Sequence, residues 1–130
     1  MSSESTTAQW NQPETVDRPR FVDPNEVFEA VHELLGRKWH LRIIYYLLED
    51  GPMGFSRLKG SLDGVSSKML SESLSSLETA DLVAREIVSE QPVRVEYSLT
   101  ERGAALRSVV DGLLRWDASY GIETTGESDD

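Results

Sequence analysis

The chain contains no cysteine, and that absence excludes disulfides, thiolate metal ligands, thiol nucleophiles and cysteine-based redox sensing. Long apolar runs are missing as well. Met1-Ser2-Ser3-Glu4-Ser5-Thr6 has neither a basic start nor an apolar stretch, and no segment approaches the length that spans a bilayer. The expectation is a cytoplasmic protein without membrane contact. Histidine is scarce too: His32 and His40 have no carboxylate or second histidine at a recognisable ligand spacing, so they are expected to be structural or exposed, with no metal site. No Ser-His-acid order, glycine-rich phosphate loop or metal pair with a catalytic acid occurs, so the chain does not read as an enzyme and implies no cofactor.

Bases are outnumbered. Thirteen Lys and Arg face 23 Asp and Glu, a formal net charge of −10, although DNA affinity rests mainly on cations neutralising phosphates. The excess is uneven. Residues 26–116 hold fourteen acids and eleven bases, whereas residues 117–130 hold five acids and no base. A dispersed acidic surface also suits a very salty cytoplasm, in which carboxylates keep the surface hydrated.

With 130 residues there is room for one compact domain. Residues 1–22 are rich in Ser, Thr, Gln, Glu and Pro and are expected to form a disordered arm, and residues 121–130 a disordered acidic tail. The domain is expected over 23–120.

Asp23-Pro24-Asn25-Glu26 carries a cap, an N-terminal proline and a capping-box glutamate, predicting a helix with Val27, Phe28, Val31, Leu34 and Leu35 on one face and Gly36 at its end. Lys38 to Asp50 is apolar around most of its circumference and predicts a buried helix opened by Trp39, a packing residue. Phe55 to Leu62 predicts a short helix, and Asp63-Gly64 a turn. Ser66 then caps a helix whose buried stripe is Leu70, Leu74 and Leu77; Lys68, Ser71, Glu72, Ser75 and Thr79 fall opposite.

From Leu82 the period becomes two. Val83, Arg85 and Ile87, then Val93, Val95, Tyr97 and Leu99, predict a β-hairpin around Ser89-Glu90-Gln91-Pro92. Thr100 caps a last helix with Leu106, Val109, Val110, Leu113, Leu114 and Trp116 on a face wider than a small monomer needs, so part of it is expected to face another subunit. This order of elements is mainly α with a small β-hairpin wing, the winged helix-turn-helix plan. Such a scaffold places a small-residue helix in the major groove and a hairpin on neighbouring backbone, and it also serves as a protein-binding module.

Several separated motifs, in order, resemble the HxlR family of transcriptional regulators: Leu35-Gly36-Arg37-Lys38-Trp39, Gly51-Pro52 with Phe55, Val65-Ser66-Ser67-Lys68-Met69-Leu70-Ser71, and Pro92-Val93-Arg94-Val95-Glu96-Tyr97 running into Thr100-Glu101-Arg102-Gly103. The resemblance covers roughly residues 26–117 and implies a homodimer on two-fold related double-stranded DNA, joined through its first and last helices. It implies base reading by Ser66, Ser67, Lys68, Ser71 and Glu72, with Ser75 on the same face. Phosphate contacts would come from Arg57, Lys59 and Arg94. The dimer interface would involve Val27, Phe28, Val31, Val109, Leu113, Trp116 and Tyr120. Where many family members carry a cysteine just before the first helix, Glu26 stands here, and Gly54 and Gly60 interrupt a bracing helix that is more basic in the family.

Five side chains keep two readings. Trp116 and Tyr120 either anchor a dimer or cover the core. Glu72 either accepts from a cytosine amino group or is a solvated residue that repels phosphate. Arg94 either contacts phosphate or pairs across the hairpin with Glu90. Lys68 either enters the groove or is a solvated surface lysine. A small-molecule effector is compatible with the sequence, which does not name one.

Overall fold

The computed structural model describes residues 22–121, so the expectations for the arm 1–22 and the tail 121–130 lie outside the described residues, apart from Val22 and Gly121. Two units are delimited, Met1–Val31 and His32–Asp130, with the first helix running from one into the other. In that helix, α1 (Pro24–Leu35), the Asp23 carboxylate accepts from Asn25 N at 3.0 Å, satisfying an amide that the first turn leaves open, while the Asp23 carbonyl accepts the first intrahelical bond from Val27 N at 3.1 Å. Gly36 follows the helix and donates to the His32 carbonyl at 2.8 Å, an approach so close that a Cβ there would overlap that oxygen.

Helix α2 (His40–Asp50) starts two residues later than its apolar pattern predicts. Lys38 and Trp39 form a turn instead, and the His40 ring donates from Nδ1 to the Leu34 carbonyl at 2.7 Å. His40 is buried, so this bond gives it the structural one of its two expected roles. Gly51, at φ 80°, ends α2 in the left-handed region.

A two-residue strand, β1 (Met53–Gly54), leads directly into α3 (Phe55–Ser61). The sequence does not reveal β1, because two residues are too few to show a period. After a turn containing Asp63 and Gly64, Ser66 caps α4 (Ser67–Thr79), its Oγ accepting from Met69 N at 3.0 Å. Leu70, Leu74 and Leu77 are fully buried, and burial of each contributes about 1.5–3 kcal/mol. These leucines fix which face of α4 is left outside.

Asp81 adopts φ 63° and turns the chain, with Leu82 N donating to the Leu77 carbonyl at 2.9 Å. Strands β2 (Val83–Glu90) and β3 (Val93–Leu99) form the expected hairpin, and β1 pairs with the other edge of β3, giving an antiparallel sheet of order β1-β3-β2. Alternating burial holds only at its base. Val83 is buried, but Ile87 is 57% and Val93 67% exposed, because the hairpin extends past the core; a register shift lies between Ile87 and Ser89.

The predicted single last helix is two: α5 (Glu101–Ala104), capped by Thr100 Oγ1 accepting from Gly103 N at 3.0 Å, and α6 (Arg107–Tyr120). Arg107 donates to the Leu48 carbonyl at 2.8 Å and lies 3.6 Å from Glu49, tying α6 to the end of α2. The core gathers α2, α3, α4 and the hairpin base, with Ile43, Ile44, Met53, Leu58, Leu70, Leu74 and Leu77 fully buried. Among the described residues no helix is long and apolar enough to cross a membrane, and no group of His, Cys, Asp or Glu could hold a metal.

Candidate nucleic-acid interface

Once the three leucines fix the rotation of α4, Ser67, Lys68, Ser71, Glu72, Ser75 and Thr79 are exposed, and so is the capping Ser66. At about 100° per residue Lys68, Ser71, Glu72, Ser75 and Thr79 share one stripe. Four of the seven are serines, so the backbone of α4 can approach a surface closely while presenting hydroxyls that donate and accept. Glu72 has a further role that spacing alone does not decide: its Oε2 lies 3.9 Å from Lys68 Nζ. Both side chains are largely exposed, so this pair contributes only about 0.3–0.5 kcal/mol and can open at little cost.

Arg57 on α3 is exposed, whereas Lys59 is half-buried and therefore less available. Arg94 lies on β3 opposite Ser89, while Glu90 faces Val93, so the cross-strand Arg94–Glu90 pairing weighed from sequence is not the register found. Arg57 and Arg94 instead line the same cleft, with Ser56 of α3 beside them and Glu96 as the one acid on the wall. The two cations assigned separately to bracing helix and wing are thus brought to one place. Among the described residues the ion pairs are Lys68–Glu72 and Arg107–Glu49, leaving both arginines without a carboxylate partner.

Arg37 was not singled out as a site residue by the sequence. Exposed between α1 and α2, it lines a small cleft with Met69, Glu72 and Ser76 of α4, which puts a further cation beside the polar stripe. Its only signal was membership of the Leu35–Trp39 motif.

The residues expected at a dimer interface are exposed, with Val27, Phe28 and Val31 on α1 and Val109, Leu113, Trp116 and Tyr120 on α6. Trp116 and Tyr120 are 53% and 76% exposed, with ring centroids 6.3 Å apart. Large aromatics presented to solvent in a row are a feature of association surfaces.

Residues 34–125 match the HxlR-like helix-turn-helix family. The chain belongs to that family. It is 40% identical over 88 residues to the HTH-type transcriptional regulator YodB of Bacillus subtilis, covering 68% of this chain and 78% of YodB. An HTH-type transcriptional regulator of Methanothermobacter thermautotrophicus is 37% identical over 100 residues, 75% of each chain. Among solved structures, the reduced form of YodB superposes with a TM-score of 0.65 at 37% identity, covering 75% of this chain and 92% of that one. A transcriptional regulator of the MarR family from Enterococcus faecalis V583 gives a TM-score of 0.72 at 29% identity over 80% and 94%. The fold is therefore that of the winged helix-turn-helix regulators.

Proposed function

We propose that this HxlR-like protein is a sequence-specific DNA-binding transcriptional regulator acting as a homodimer in the cytoplasm, by binding and not by catalysis. Its working domain is 23–120, with 1–22 and 121–130 as flanking arms. The observation that carries the reading is the outward stripe of α4: a capped helix locked by three buried leucines, presenting Ser66, Ser67, Lys68, Ser71, Glu72 and Ser75 on a surface small enough to enter the major groove.

Lys68 and the serines read base edges, and Glu72 holds Lys68 until a base replaces it. Arg57 and Arg94, lining one cleft, take backbone phosphate beside the groove, with Arg37 and the less exposed Lys59 as further cations. The exposed apolar residues of α1 and α6 are covered by a second copy, which places two reading helices on a two-fold related site.

Selection of bound sequences from a random duplex library, at several KCl concentrations, tests this. A two-fold symmetric site is expected. Absence of enrichment at every salt concentration points instead to a winged-helix module that docks a protein.

A further inference from the structure

A cavity of about 550 Å³ opens along α2, within the size range of small-ligand sites. Its walls come from three places: Trp39, Leu41, Arg42, Tyr45 and Tyr46 at and on α2, Ser61 at the end of α3 with Leu62 and Asp63 after it, and Val110, Leu113 and Leu114 on α6. Lys38 lines it as well.

The chemistry of this lining is specific. Tyr45 and Tyr46 meet edge to face with centroids 5.1 Å apart, and the leucines of α6 lie on the same cavity, so a flat apolar body finds aromatic and aliphatic surface. Two cations are held at the Trp39 ring, Lys38 Nζ at 4.9 Å and Arg42 Cζ at 5.4 Å from its centroid. Arg42 also donates from Nη1 to the Lys38 carbonyl, which braces the guanidinium. Neither cation is in an ion pair among the described residues, and Asp63 is the one acid on the lining, so the cavity carries two positive charges against one negative. A protein with a formal charge of −10 has concentrated unpaired cations beside aromatic rings.

We propose that this cavity binds a small planar aromatic carboxylate, its ring against Tyr45, Tyr46 and the α6 leucines and its carboxylate on Lys38 and Arg42. Such a ligand touches α2, α6 and the turn that leads into α4 at once. The proposal does not depend on the DNA-binding reading, because it is tested on the free protein.

Full-length protein is titrated calorimetrically with 2-naphthoate, 2-naphthamide and 2-naphthylmethylammonium. Saturable binding of the carboxylate is expected, with the neutral amide about a hundredfold weaker and the ammonium weaker still, since each of the two charge-assisted hydrogen bonds is worth about tenfold. Arg42→Gln and Lys38→Gln, checked for an unchanged melting temperature, are each expected to weaken the carboxylate about tenfold and leave the amide unaltered. Equal affinity for acid and amide overturns the proposal, as does tighter binding of the ammonium, which would assign the site to Asp63. Lack of saturation at millimolar carboxylate also overturns it, and binding regained in a monomeric Trp116→Glu variant would then identify the occupant as a second copy of the chain.

Discussion

Gly103 lies in α5, where helix propensity and packing make opposite demands, so replacing it decides which governs. Alanine in a helix interior is favoured over glycine by about 0.8–1 kcal/mol. At Gly103, however, a Cβ would overlap the Leu82 carbonyl oxygen and sit 3.1 Å from its carbon and 3.2 Å from Leu99 Cδ2. That carbonyl accepts from Thr100 N at 3.1 Å, and Leu82 is buried at the base of the wing. Relieving the overlap must shift backbone, weakening a hydrogen bond worth about 1 kcal/mol and disturbing packing worth about 1–3 kcal/mol. Gly103→Ala is therefore expected to destabilise by about 1–3 kcal/mol net, lowering the melting temperature by about 5–20 °C for a domain of this size. Gly60→Ala is the control, since nothing lies within 4 Å of its Cβ, and it is expected to raise stability by about 0.4–1 kcal/mol. Thermal and urea unfolding at one fixed protein concentration measure both. A Gly103→Ala variant as stable as the parent would refute the steric account of this junction.

Arg57→Ala and Arg94→Ala should each reduce the slope of log K against log salt by about 0.9 while weakening all DNA sequences alike; an unchanged slope removes that arginine from the phosphate contacts. The proposed homodimer should sediment as a monomer once Trp116→Glu is introduced, with tight binding to a two-fold site abolished; a variant that stays dimeric places the interface elsewhere. Thermal stability measured from low to molar KCl should rise with salt if the charge of −10 is an adaptation to a salty cytoplasm, and a maximum at low salt contradicts that origin.

Much of the fold was legible because its signals are local. Asp23, Ser66 and Thr100 announce helix starts through their own side chains, and the Leu70, Leu74, Leu77 spacing orients α4 without reference to anything else. What was not legible depends on partners distant in the chain. Strand β1 exists only because Met53 and Gly54 meet Tyr97 and Glu96, and the split between α5 and α6 lies within a continuous apolar pattern. The hairpin shows period two, yet its tip is exposed on both faces, because alternation encodes the pleat and not the reach of the core. For the site, the stripe on α4 follows from helical arithmetic, whereas the shared cleft of Arg57 and Arg94 joins residues of different elements and required the register of β3. The cavity beside α2 was invisible for the same reason.

Lys68 is the residue on which base reading by the outward face of α4 stands or falls. Binding-site profiles are to be determined for the parent and for Lys68→Ala from one random duplex library at one salt concentration. Lys68→Ala is expected to lose about 1–3 kcal/mol on the parent's preferred site and to relax preference at one or two symmetry-related positions, with the remaining positions retained. An identical profile and affinity for the two proteins would contradict it.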